Sequence, residues 1–149
     1  MHFELTEEHK AVQQAAREFA QNVLKPGVIE RDEHQKFPVE EIKQLAELGF
    51  MGMMVSPEYG GSGMDTLSYV LAMEEISKID ASTSVCMSVN NSLVTWGLEA
   101  FGNEEQKQKF LKPLASGEKL AHSVCLNQKR VLMLLLSAPQ LWTWVITIY

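Results

Sequence analysis

Residues 81–101, ASTSVCMSVNNSLVTWGLEAF, decide the fold. They have the length of a long helix, and they are apolar on nearly all sides except at Asn90, Asn91 and the small hydroxyls. A helix that is apolar all round is buried within a larger structure. The segments that flank it also carry helix signals, so the reading is all-α, an up-and-down helical domain.

Upstream, Thr6 is placed to cap a helix, with Glu7 and Glu8 in the first turn, where the helix dipole favours acids. Val12, Ala16, Phe19 and Val23 follow at steps of four, three and four and so share one face. Lys25-Pro26-Gly27 ends that helix. Pro38 suits a first helical turn, Val39, Ile42, Leu45, Ala46 and Leu48 form the next apolar stripe, and Gly49 stops it. Residues 50–55 are too short for a helix and lead into the loop Ser56–Gly63. Asp65 or Thr66 then caps a helix running through Ile79, with Leu67, Val70, Leu71 and Glu74 as its face and Met73 and Ile76 alongside. Downstream, Asn103 caps a last helix anchored by Phe110, Leu111 and Leu114. Leu120 to Leu126 is a strand-like run.

The 149 residues fit one domain, or one domain and part of another. All 19 acidic residues and 11 of the 13 Lys and Arg lie in residues 1–126. The net charge of −6 argues against nucleic acid, which requires clustered cations to neutralise phosphates. Cys86 and Cys125, without CxxC spacing, read as reduced thiols of a cytoplasmic protein. The N-terminus carries acids where a signal peptide needs a basic region and an apolar run.

Several motifs have both a chemical and a structural reading. Gly60-Gly61-Ser62-Gly63 has the composition of a phosphate cradle, but it lacks a Walker lysine and follows no clear strand, which favours a structural turn. His2, His9, His34 and His122 show no metal-ligand spacing. Glu74 and Glu75 are adjacent on a helix and face different directions, so one buried and one solvated carboxylate is expected. Ser62, Ser84 and Ser88 lack a nucleophile elbow. The buried helix has the small residues of an apolar ligand tunnel, though by composition it reads as core.

Together the segments resemble the N-terminal part of an acyl-CoA dehydrogenase, closest to the short-chain, butyryl-CoA type. The resemblance rests on Leu5-Thr6-Glu7-Glu8, Glu58-Tyr-Gly-Gly-Ser-Gly63, Met73-Glu74-Glu75-Ile76-Ser77, Ala81-Ser82-Thr83, Met87–Leu93 and Phe101–Lys107, in order from about residue 3 to residue 126. It implies an all-α N-terminal domain over residues 1–118, the start of a middle β-domain over 119–126, and FAD held between the domains of a homotetramer. It implies α,β-dehydrogenation of short-chain acyl-CoA, with electrons passing to electron-transfer flavoprotein. By the same resemblance, the helix bearing Ser88, Val89, Asn90, Asn91 and Leu93 walls the acyl-chain pocket. Val124, Cys125 and Leu126 match the first residues of the family's flavin motif, with Val124 where an aromatic is common.

After Leu126 the family pattern stops. Residues 127–149, NQKRVLMLLLSAPQLWTWVITIY, hold no acid, two cations and two of the three Trp. In a shifted reading frame, the codons from Asn127 to Leu134 permit Pro-Glu-Ala-Gly-Ser-Asp-Ala, the missing flavin motif. Farther on, Trp142-Thr143 forces Asp and Trp144-Val145 forces Gly. This reading predicts a small deletion after Leu126, a non-native tail and an inactive fragment without the family's catalytic Glu. A second reading takes uncharged Val131–Tyr149 as a membrane segment tethering a helical protein, near the roughly 20 residues that span a bilayer, with Pro139 in its centre against it. A third takes the tail as an edge hairpin. For the chain as a whole, a helical interaction module or a weak acyl-CoA-binding module stands beside the enzyme fragment.

Overall fold

The computed structural model describes residues 4–123 and 146–148. Helix α1 (Glu7–Phe19) starts at Thr6, whose Oγ1 accepts the His9 N–H at 3.2 Å while His9 Nδ1 accepts the Thr6 N–H at 3.3 Å. This is a capping box with an imidazole in the place of the usual Glu or Gln. Because Nδ1 accepts, Nε2 carries the proton, and it donates to Asp65 Oδ2 at 2.9 Å. Asp65 is itself the N-cap of α4 (Thr66–Ser77), so one imidazole joins the starts of two helices. The Asp65 carboxyl is held down at about 2, first by the Ser68 N–H and then by His9.

The face of α1 expected from its spacing is buried at Val12, Ala16 and Phe19, and the helix runs on through a π-helical turn, Ala20–Leu24. It packs along α4 around a core that includes Tyr69, Ala72 and Ile76. The face expected for α4 needs correction. Leu67 and Val70 are about half exposed, Glu74 is exposed, and the buried side is Ser68, Tyr69, Leu71, Ala72, Glu75 and Ile76. The polar members of that side have partners, which is what permits their burial. Glu75 accepts from Arg17 Nε and Nη2 at 3.0 Å, from Gln13 at 3.2 Å and from Lys78 at 3.0 Å. The expectation of one buried and one solvated glutamate holds.

A short helix without an apolar stripe, α2 (Val28–Glu33), was not expected from the sequence. It delivers Arg31, whose guanidinium donates to Glu41 Oε1 at 2.6 Å, to the Leu24 carbonyl at 2.8 Å and to Asp80 Oδ2 at 3.0 Å. Glu41 lies on α3 (Val39–Glu47), which buries Ile42 and Leu45 of its predicted stripe and leaves Val39 and Leu48 partly exposed. Residues 50–52 form a single 3₁₀ turn, and Phe50, Met51, Met53 and Val55 are all buried.

Helix α5 (Ala81–Ser88), a π-helical stretch (Val89–Thr95) and α6 (Trp96–Phe101) form one uninterrupted helix, as the opening stretch predicts. The last helix follows, as α7 (Glu104–Gln106), a π-helical turn (Lys107–Leu111) and α8 (Lys112–Ala115), capped at Asn103 by a reciprocal box with Gln106. Strand β1 (Ala121–Ser123) bears out the strand-like run and pairs antiparallel with β2 (Ile146–Ile148). Val124, Cys125 and Leu126, and all of the tail except residues 146–148, lie outside the described residues. Among the described residues, no helix is long and apolar enough to cross a membrane.

Candidate functional site

The long helix is fixed at its start by Asp80, which accepts the Thr83 N–H at 3.0 Å and the Thr83 hydroxyl at 2.9 Å and pairs with Arg31. Burial pushes the Asp80 carboxyl up, but these bonds outweigh it and hold it below the ordinary carboxylate range. From there Thr83, Ser84, Met87, Asn90, Asn91, Val94 and Thr95 turn inward and are buried. The apolar residues Val85, Val89, Leu93 and Trp96 follow at steps of four, four and three; of these Val89 is half-buried against Val94 and Leu114, and the others face outward. Val85, Leu93 and Trp96 are more than half exposed, and Phe101 is 80% exposed with its ring edge-to-face on Trp96.

In the middle of this helix the backbone widens. The Trp96 N–H bonds Asn91 O, five residues back, and the Thr95 hydroxyl donates to the same carbonyl at 3.0 Å. Ser92 Oγ donates to Ser88 O at 2.8 Å. Such hydroxyl bonds to the preceding turn loosen an α-helix, and π-turns occur often at functional sites.

The structure divides the five residues that the family resemblance puts on the acyl pocket. Asn90 and Asn91 are core residues, each 1% exposed, with their amide nitrogens spent on backbone carbonyls, while Asn90 Oδ1 has no partner among the described residues. Asn90 Nδ2 donates to Met51 O at 2.7 Å and Leu114 O at 3.1 Å. Asn91 Nδ2 donates to Phe50 O at 2.8 Å and Met87 O at 3.0 Å, and its Oδ1 accepts the Met53 N–H at 2.8 Å. Leu93 faces out on the exposed stripe. Ser88 is half-buried at the seam with α4, where Tyr69 donates its hydroxyl to Ser88 Oγ at 3.1 Å, and Val89 is half-buried against Val94 and Leu114. Sequence reasoning did not single out Val85 and Trp96 on that stripe, or Tyr69 behind Ser88. The four-four-three spacing was a usable signal for the first two, but it is hidden in a helix that is apolar on every side.

The glycine loop is a structural turn. The N–H groups of Gly60, Gly61, Ser62, Gly63 and Met64 all donate to carbonyls, those of Pro57, Ser56, Gly52, Val55 and Met53. Gly61 lies so close to Val55 that an added Cβ would meet its carbonyl oxygen at 2.2 Å. With its amides consumed, this loop does not fit the pyrophosphate of a dinucleotide. Val124, Cys125 and Leu126, which by resemblance lie along the flavin, fall outside the described residues. Among the described residues no group of three or more His, Cys, Asp or Glu is placed to hold a metal ion.

Residues 6–118 match the family described as "Acyl-CoA dehydrogenase, N-terminal domain". The short-chain-specific acyl-CoA dehydrogenase of Clostridium acetobutylicum is 48% identical over 120 residues, 80% of this chain and 32% of that protein. Among solved structures, butyryl-CoA dehydrogenase from Megasphaera elsdenii superposes with a TM-score of 0.79 at 39% identity, over 85% of this chain and 34% of the other. A chain in the structure described as "Electron transferring flavoprotein of Acidaminococcus fermentans: Towards a mechanism of flavin-based electron bifurcation" gives a TM-score of 0.81 at 42% identity, covering 86% of this chain and 34% of that one. The chain belongs to the acyl-CoA dehydrogenase family, and residues 6–118 correspond to that family's helical N-terminal domain. It spans about a third of the length of the curated relatives it matches.

Proposed function

We propose that this domain supplies one wall of the acyl-chain pocket in an FAD-dependent dehydrogenation of short-chain acyl-CoA, in a cytoplasmic homotetramer that passes electrons to electron-transfer flavoprotein. The observation that carries this is the outward apolar set Val85, Leu93 and Trp96. These residues are more than half exposed, on the helix that the family resemblance assigns to the acyl chain. A bound flavin would supply the hydride acceptor for this reaction. This chain's residues contribute a dry, apolar contact for the acyl tail and a rigid support behind it. Asn90 and Asn91 provide that support by fixing the helix to the Phe50–Met53 backbone, and Ser88, Val89 and Leu93 are the residues that meet the ligand.

We also propose that residues 127–149 are read in a shifted frame and that these 149 residues alone neither retain FAD nor turn over. The support is the ordered run Pro-Glu-Ala-Gly-Ser-Asp-Ala that the codons of Asn127–Leu134 allow. Sequencing the coding DNA tests the shift; a frame that does not spell this motif ends the idea. Butyryl-CoA oxidation is then compared between the 149-residue chain and the product of the frame-restored gene. Activity and visible flavin absorbance are expected only in the second. Flavin absorbance in the purified 149-residue chain would contradict the inactive-fragment reading.

A second reading is favoured by the exposed Trp96–Phe101 ring pair, since exposed aromatic clusters are frequent binding anchors. In it the chain is a helical interaction module, and co-purification with an intact dehydrogenase subunit distinguishes it.

A further inference from the structure

The cations of this domain fall into two sets. Between residues 10 and 78, Lys10, Arg17, Arg31, Lys36, Lys43 and Lys78 each hold an ion pair, and Lys25 bonds Gln21. Between residues 107 and 119 there are four lysines; among the described residues none forms an ion pair, and only Lys107 acts on a carboxylate, that of Glu104. This occurs in a chain whose first 126 residues carry eight more acids than bases, so acids are not scarce. The nearby carboxylate of Glu104 is already engaged, accepting from Tyr59 Oη at 3.0 Å and Gln108 Nε2 at 2.9 Å. Lys107 lies over the Tyr59 ring, 5.5 Å from its centre.

The other three, Lys109, Lys112 and Lys119, line one cleft of about 380 Å³ together with Gly60, Ser116 and Glu118. The Lys109 ammonium is 5.4 Å from the Phe110 ring centre, which leaves its hydrogens for other acceptors. Gly60, at φ 81°, adds no side chain to the cleft beside the Lys112 stem. Three lysines against one carboxylate line this cleft, and this excess of positive charge favours a bound anion. Lysine is a point-charge donor without a planar fork, which suits phosphoryl oxygens. Gly60 and Lys119 spend their N–H groups on Pro57 and Pro113 carbonyls, so binding rests on the ammonium groups.

We propose that this cleft binds a small multivalent oxyanion of the pyrophosphate class, through Lys109, Lys112 and Lys119. The proposal is independent of the acyl-chain reading, which concerns residues 81–101, whereas this cleft lies on the last helix beside the glycine loop. It is tested by calorimetric titration of the full chain with sodium pyrophosphate, with orthophosphate and sulfate in parallel. One saturable site is expected, with pyrophosphate tightest. A K112Q/K119Q double variant should weaken it at least about tenfold, while K43Q, which alters a paired lysine elsewhere, leaves it within about twofold. Because the contacts are exposed charges, added salt should weaken binding as well. Circular dichroism checks that both variants fold, which is expected because these lysines are exposed. Absence of saturation, or equal binding by the double variant, overturns the proposal.

Discussion

Asn91 holds Met53 in place from 38 residues away, accepting its N–H at 2.8 Å while donating to Phe50 O at 2.8 Å. The segment between α3 and the glycine loop has no regular structure beyond one turn, so its buried backbone groups must find side-chain partners. Asn91→Ala strands both groups, and the expected loss is about 2–4 kcal/mol of folding stability. A urea melt of the variant checks this. A loss below about 1 kcal/mol would mean that water replaces the amide there.

Glu75 and Arg17 link α4 to α1. The Arg17 hydrogen bonds, opposed by burial and helped by Lys78, hold the Glu75 carboxyl down at about 2. A carboxyl whose folded-state value is depressed adds stability above its ordinary value of about 4.5 and loses it as pH falls towards 2. Arg17 is half exposed, so solvent screening reduces the full linkage to about 1–2 kcal/mol. Denaturation curves should show the wild-type advantage over Arg17→Met present at pH 7 and shrinking between pH 4 and 2. An advantage that is constant across that range would rule out this pair as its source.

Two glycines separate turn geometry from helix propensity. Gly61→Ala drives a Cβ into the Val55 backbone, and a loss of about 2 kcal/mol or more is expected. Gly97, on α6, has nothing within 4 Å of an added Cβ. Gly97→Ala should therefore gain about 0.5–1 kcal/mol from backbone entropy. Thermal melts of the two variants should move in opposite directions.

The two sides of the long helix should also respond differently. Leu93→Ala, on the exposed stripe, is expected to change stability by no more than about 0.5 kcal/mol, whereas Val94→Ala, 5% exposed, costs about 1–2 kcal/mol. In the frame-restored enzyme, Leu93→Ala should shift the preference among acyl chains by about 1–3 kcal/mol per methylene. Relative kcat/KM values for butyryl-CoA and longer substrates report it; an unchanged ratio would remove Leu93 from the pocket wall.

Much of the fold was legible because helix ends are local. Thr6, Asp65 and Asn103 cap as their types and positions imply, since each needs only an N–H three residues on. The inward face of α4 was not legible, because Glu75 reads as solvated until Arg17 and Gln13 are beside it. Helix α2 was missed because it has no apolar stripe: its role is to bring Arg31 to Glu41, Leu24 O and Asp80, contacts that only the folded chain assembles. In the candidate site, Leu93 lies on an exposed apolar surface, while Asn90 and Asn91 bond core backbone.

By itself the sequence determined the helical class, the caps, the family resemblance and the change of character after Leu126, all set by residue type and short spacing. The tertiary structure decided which side of residues 81–101 is inside. A helix that is apolar all round has no intrinsic interior face. The choice fell to backbone groups of Phe50, Met51 and Met53, which Asn90 and Asn91 bond, and Val85, Leu93 and Trp96 face outward.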